Sequence, residues 1–281
     1  MATSRIRAGS AKLIKAQRDH YGSAYGRFAS KLYAEIRAQA FGEDIGQQSW
    51  LSSAEQDQLI PWLALGLGSR LLDIACGSGG PTLRIAERTG CMVQGIDFES
   101  KAIAAAEELT RKRGLTHRAK FIVADATRKL KFKRSSFDAI ICIDAISHFP
   151  DRHAVLLEWT RLLKPGANVL FTDPLVITGP ISTQEIDIRS LHGAQLFVPF
   201  GFNEKVIAAA GLSLVRTEDA TGNLARFAAS RLAAREARRE ALLKVEGKLR
   251  IERSSELFRV AAKLASERRL SRFLYHARRP A

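Results

Sequence analysis

The sequence predicts an α/β, doubly wound fold: a mostly parallel seven-stranded sheet with helices on both faces, plus helical additions at the N-terminal and C-terminal ends. Three observations carry this. Between Arg70 and Asp173 short β-branched runs alternate with helical stretches, the pattern of βαβ units. A glycine-rich turn, Asp73-Ile-Ala-Cys-Gly-Ser-Gly-Gly80, joins the first run to the first helix. The 281 residues, 46% hydrophobic and 26% charged, suffice for one sizeable core with accessory helices.

Strands are expected at 70–75, 91–96, 120–124, 137–143 and 168–172. Helices at 81–89, 100–113 and 151–163 open on Pro81, Ser100 and Asp151, residues that start helices. Right-handed crossovers place them on the two faces of the sheet. Lys164-Pro165-Gly166 is a stop before the fifth strand, Gly211 precedes a sixth at 212–217, and 270–277 reads as the last. Residues 224–268 read as a long Ala/Arg/Glu/Leu-rich helical stretch interrupted near Gly247. The expected division is therefore an N-terminal helical lid over 1–66, broken by a loop at 41–50, a core over 67–222, a basic helical insertion over 223–269, and a closing strand over 270–281.

The formal charge of +15 is uneven. Residues 223–281 hold sixteen Lys/Arg against six Glu, and residues 1–50 hold eight basic against four acidic side chains. Such an excess attracts RNA, membrane surfaces or anionic substrates, or is simply a solvated face of long helices. Arg5, Arg7, Lys12, Lys15 and Arg18 suit a plain basic helix or an organellar presequence. No apolar run is long enough to span a bilayer, so a cytoplasmic protein is expected. Cys76, Cys91 and Cys142 read as buried thiols, and no Cys-x-x-Cys or His-x-x-x-His spacing suggests a metal site.

A glycine turn between strand and helix lets a ligand approach the backbone closely. A dinucleotide site would want a third glycine at position 82, where Thr82 stands. Asp73, ending the first strand, would repel a pyrophosphate and welcome an ammonium. Asp97 ends the second strand, 20 residues after Gly77, where a carboxylate accepts from both ribose hydroxyls. Asp125 ends the third, placed to accept from an adenine amino group or to cap the next helix. The ordered set Asp73, Gly77, Gly79, Asp97 and Asp125 fits a nucleoside with an ammonium and a sulfonium and no phosphate. S-adenosyl-L-methionine, with S-adenosyl-L-homocysteine as its product, has that composition.

With these residues the chain resembles class I methyltransferases over roughly residues 40–220, in particular the small-molecule group with phosphoethanolamine, sarcosine/dimethylglycine and quinone-type enzymes. Residues 71–80, which include Asp73, Ala75, Gly77 and Gly79, match the family's first motif. Gly95-Ile-Asp-Phe98 matches its ribose motif, Ala124-Asp-Ala126 its adenine motif, and Leu162-Leu-Lys-Pro-Gly166 the turn before its fifth strand. The resemblance implies a Rossmann-like fold, with Asp97 on the ribose, Phe98 against the adenine and Ile143 along the methionine side.

A sulfonium methyl is already electrophilic, so a protein has mainly to align a nucleophile and exclude water. Ile143-Asp-Ala-Ile-Ser-His-Phe-Pro150 follows the fourth strand, which faces the reactive centre in this topology. Four residues apart on a helical turn, Asp144 would orient an amine or ammonium while His148 takes a proton. His148 equally suits a structural histidine bonded to a loop. The pair resembles an Asp-Ala-x-x-His segment of phosphoethanolamine methyltransferases, which implies Tyr25 as the histidine's partner from the N-terminal lid, with Tyr21 a nearby alternative. Trp50 would shield the substrate or anchor the helix that follows.

A small-molecule acceptor with a nitrogen, oxygen or carbon nucleophile is thus the expected partner. An RNA methyltransferase using the basic helices and the run 128–134 is the alternative, as is a cofactor-binding protein without turnover. The basic helices also suit peripheral membrane contact, a lid or an oligomer interface.

Overall fold

The computed structural model describes residue 22 and residues 24–191 and 193–281. Along the chain come α1 (Lys31–Phe41), α2 (Ser53–Leu59), β1 (Arg70–Ile74), α3 (Gly80–Thr89), β2 (Met92–Asp97), α4 (Ser100–Lys112) and β3 (Ala119–Val123). They are followed by β4 (Phe137–Cys142), α5 (Arg152–Leu162), β5 (Leu163–Ile177), α6 (Thr183–Arg189), β6 (Val198–Pro199), α7 (Phe202–Ala209) and β7 (Ser213–Asp219). The last elements are α8 (Thr221–Glu236), α9 (Arg239–Glu246), α10 (Lys248–Ser266) and β8 (Leu270–Arg278).

The sheet runs β3-β2-β1-β4-β5-β8-β7. The strands from β3 to β5 are mutually parallel, and β8 is antiparallel to both its neighbours. Central strands carry unbroken apolar runs because both faces are covered. On β1, Leu72 and Ile74 join the core under α5 and α7, whereas Leu71 joins the core under α2, α3 and α4. Strand order reverses between β1 and β4, and the crevice beyond their C-terminal ends is where such sheets bind ligands.

Three features differ from the sequence expectation. β5 begins at Leu163 and runs through Pro165 and Gly166, because Leu163 pairs with Phe137 and Gly166 N donates to Arg279 O at 2.9 Å. A short eighth strand, β6, pairs with the far end of β5. The C-terminal helical stretch breaks twice, after Ala237 as well as at Gly247.

The helices from the two chain ends pack together. Ile36, Phe41 and Trp50 share one buried cluster with Phe227, Leu242 and Phe258. Trp50 meets Phe258 edge-on with centroids 6.1 Å apart, and Arg235 of α8 pairs with Glu246 at 2.6 Å, which also accepts from Tyr33 of α1. Many of the basic side chains therefore fasten one helical layer to itself. No described helix is long and apolar enough to cross a membrane.

Candidate active site

The turn after β1 is left-handed at Ala75, Gly77 and Gly79, with φ of 58°, 57° and 73°. It is fastened from below: Cys76 N donates to Ile96 O at 3.0 Å, and Asp97 receives Gly77 N on Oδ2 and Glu99 N on Oδ1, both at 2.9 Å. Asp73 sits under the turn and accepts from the Thr82 hydroxyl. Thr82, where a dinucleotide fold has glycine, thus serves the acid that follows the first strand.

Burial pushes Asp73 up to about 7, with the Thr82 bond pulling it down and the charge of Asp97 adding to the rise. Burial likewise pushes Asp97 up to about 6 against the two backbone N–H bonds it receives. Both acids carry an unmet demand for a cation or donors.

Asp73, Ala75, Cys76, Gly77 and Asp97 line one cavity. Asp73, Asp97 and Asp144 face it, and no lysine or arginine is among its described lining residues, on a chain whose net charge is +15. A phosphate-bearing ligand would meet the carboxyls of Asp73 and Asp97 there and no lysine or arginine among the described residues. A nucleoside carrying an ammonium and a sulfonium suits the same donor set.

The roof comes from the N-terminal segment. Asp44 pairs with Arg37 at 2.7 Å and receives Gly46 N at 2.8 Å, so the loop before Trp50 is shaped by its own side chains. Ser78 Oγ then donates to Gly46 O at 3.0 Å, laying the loop on the glycine turn. Tyr25 reaches over Gly77, whose added Cβ would collide with the Tyr25 hydroxyl. Gly77→Ala is expected to destabilise the fold by about 1–2 kcal/mol, the cost of a left-handed φ for an L-residue. Urea unfolding checks this, and unchanged stability would show that the turn relaxes around the new side chain.

At the β4 end Asp144 adopts φ 54° and faces inward. Its Oδ1 receives Thr172 Oγ1 and Arg272 Nε, both at 2.7 Å, and its Oδ2 receives Trp50 N at 2.7 Å. Arg272, on β8 and fully buried, also donates to Glu55 of α2. Burial works against the charge on this guanidinium, and Asp144 and Glu55 outweigh it, holding the arginine ionised. Asp144 is therefore engaged by the protein itself, which replaces the expectation that its carboxylate is open to an amine.

His148 ends a short 3-10 turn, Ile146–His148, and lines the cavity. Its Nδ1 lies 3.0 Å from Ala194 O, an acceptor only, so Nδ1 carries the proton and Nε2 the lone pair. Gln195 Nε2 approaches that lone pair at 3.4 Å. Burial pushes His148 down to about 4, the Ala194 bond opposing and the Arg152 charge assisting. The imidazole is neutral at pH 7.

The structure thus brings Tyr25, Asp73, Ala75, Gly77, Asp97, Phe98, Ile143, Asp144 and His148 to one cavity. Gly79 lies behind it, its missing Cβ making room for Phe121 at 2.8 Å and Ala106 at 2.9 Å. Besides Gly79, three expected residues among those described are not in the lining. Trp50 is 8% exposed and anchors the helical layer through Phe258. Asp125 is exposed, accepts from Thr127 N at 2.9 Å and pairs with Arg128 at 3.2 Å, and Ala126 lines a different groove. Tyr21 lies outside the described residues. Sequence reasoning missed Arg272, Glu55 and Gln195. An arginine inside the apolar run 270–277 was the available signal for the first, because a charge on a fully covered strand needs a partner.

Residues 66–192 match the family described as "Methyltransferase domain". Among curated proteins, 27-O-demethylrifamycin SV methyltransferase of Amycolatopsis mediterranei is 31% identical over 157 residues, covering 53% of this chain and 57% of that protein. The chain spans about half the length of the first curated relatives it matches. In fold it is similar to phosphoethanolamine N-methyltransferase 2 of Haemonchus contortus, with a TM-score of 0.77 at 21% identity over 94% of this chain and 60% of that one. It is similar also to the [4+2]-cyclase SpnF, with a TM-score of 0.75 at 21% identity over 94% and 95%. Over residues 66–192 the chain is thus similar to methyltransferase domains, and its fold is the one those solved structures share.

Proposed function

We propose that the protein transfers a methyl group from S-adenosylmethionine to a small-molecule acceptor at nitrogen, oxygen or carbon. The observation that carries this reading is a cavity faced by Asp73 and Asp97, with no lysine or arginine among its described lining residues, on a strongly basic chain. When bound, the cofactor supplies a methyl group already activated by its sulfonium and leaves as S-adenosylhomocysteine.

Every other task falls to the protein. Asp73 holds the ammonium end, Asp97 the ribose hydroxyls, and Phe98 the adenine face. Asp125 and Ala126, beyond β3, would meet the adenine edge, which requires Asp125 to share itself between Thr127 and the ligand. Ala75, Gly77 and Gly79 let the backbone approach, and Ile143 packs on the methionine side. Asp144 is a positioning residue: its bond to Trp50 N ties the roof to β4.

His148 Nε2 takes a proton from an acceptor that arrives protonated, and Tyr25 faces the same space. The 3.4 Å contact with Gln195 is long enough to yield to an acceptor hydroxyl or ammonium. His148→Ala is expected to lower turnover roughly 100-fold while leaving cofactor affinity unchanged. The neutral imidazole should give no inflection near pH 6.5, since its titration lies at about 4. Full turnover in the variant would refute the base, and an inflection near 6.5 would refute this environment.

The Asp73 assignment has its own pH signature. Held protonated up to about 7, Asp73 contributes stability that is full below its ordinary value of 3.8 and lost as pH rises through about 7. An ammonium beside it favours the charged form, so cofactor binding at pH 6 should release a proton. Calorimetry in buffers of different ionisation enthalpy measures this, and proton uptake would contradict the assignment.

A second reading has a specific observation behind it. The similar fold of the [4+2]-cyclase SpnF, over 94% of this chain, belongs to a cyclase, so the fold alone does not carry methyl transfer, and a cavity that binds cofactor without turnover has the same geometry. A cytoplasmic setting suits the three free, buried thiols.

A further inference from the structure

We propose that the groove between the loop at 125–134 and α5 binds a small organic phosphate at a site separate from the methyl-transfer cavity. The groove has an empty volume of about 1030 Å³ and is walled by Arg128, Lys129, Arg134, Arg161 and Arg279 against one carboxylate, Glu158. None of the six lines the cavity of Asp73 and Asp97. The two concavities have opposite charge: one gathers acids, the other cations.

The groove is built in advance. Arg161 donates to Phe132 O at 3.0 Å, to Leu130 O at 3.1 Å and, through Nε, to Glu158 at 2.8 Å. Leu130 N returns to Glu158 at 2.9 Å. Leu130 is buried, and Phe132 packs edge-on against Phe137 with centroids 5.3 Å apart. Arg279 donates to Ser135 Oγ at 3.0 Å. The loop that presents the cations is thus pinned to α5 at three points, so a ligand need not order it.

The charges do not balance. Glu158 offsets Arg161, and Asp125, 3.2 Å from Arg128, offsets that residue. Arg279 donates to two neutral oxygens, Ser135 Oγ and Leu163 O. Lys129 and Arg134 form no ion pair among the described residues. Five cations against the two carboxylates Glu158 and Asp125 leave an excess of positive charge around one groove, and a ligand with two or more negative charges relieves the repulsion. Leu157 is 45% exposed on the same groove. It gives an apolar surface that a bare inorganic ion leaves uncovered, which selects an organic phosphate.

The test titrates phenyl phosphate and pyrophosphate into the protein held with saturating S-adenosylhomocysteine, which fills the cofactor end of the acidic cavity. Saturable binding that weakens with added salt is expected. The double variant Lys129→Glu/Arg134→Glu should weaken both probes about tenfold and leave S-adenosylhomocysteine affinity unchanged, which also reports that it is folded. Leu157→Ser should weaken phenyl phosphate and spare pyrophosphate. Absence of saturable binding, or equal binding by the double variant, would overturn the site. Equal loss of both probes in Leu157→Ser would overturn the organic class. A short RNA that binds and is not displaced by pyrophosphate would mark a polymer surface instead.

Discussion

Arg272→Met is expected to destabilise the fold by about 3–5 kcal/mol, the usual cost of removing one partner from a buried ion pair. The guanidinium lies fully buried on β8 and serves Asp144 at the end of β4 and Glu55 on α2. Without it two carboxylates remain in the core, close enough that Asp144 adds to the upward push on Glu55. Burial already raises Glu55, and Arg272 is what opposes the rise. In the variant Glu55 should resist ionisation further, so the deficit is smallest at low pH and grows as pH rises above the carboxylate range. Urea unfolding at pH 5 and pH 8 measures it. A loss under about 1 kcal/mol, or a larger loss at pH 5 than at pH 8, would show that the three charges do not depend on one another.

The second large effect belongs to Asp97→Asn. One acceptor oxygen becomes a donor that faces a backbone N–H, of either Gly77 or Glu99, each now 2.9 Å from the carboxylate. The turn loses its fastening and the ribose loses a charged acceptor. Bonds to charged groups contribute about 1.5–3 kcal/mol, so cofactor affinity should fall on the order of 100-fold. Titration with S-adenosylmethionine reads the change directly. A loss under about fivefold would place the ribose elsewhere.

The sheet and the cofactor end were legible for a local reason. Strands covered on both faces appear as continuous apolar runs, and the acids that follow them fall within a few residues of a glycine turn. The reaction end was less legible because its contacts are long-range. Asp144 meets Arg272 across 128 positions and Trp50 across 94, and no periodicity in either segment encodes that meeting. Spacing alone put Asp144 and His148 on one side of a turn; the partners that occupy Asp144 came from the far end of the chain. The same holds for the basic C-terminal helices. Arg235 and Arg231 read as surface charge, yet Arg235 pairs with Glu246 and Arg231 lies 5.3 Å over the Trp50 ring. The basic run at 128–134, by contrast, kept its cations at the surface, where Leu130 and Phe132 anchor it.

The central claim is methyl transfer to a small molecule. Its most direct measurement incubates the protein with S-adenosylmethionine labelled in the methyl group and a metabolite extract, then separates small molecules from polymers. The account predicts label in a low-molecular-weight product, formed in equal amount with S-adenosylhomocysteine and lost in Asp97→Asn. Cofactor binding with no labelled product in any fraction, or label confined to RNA, would contradict it.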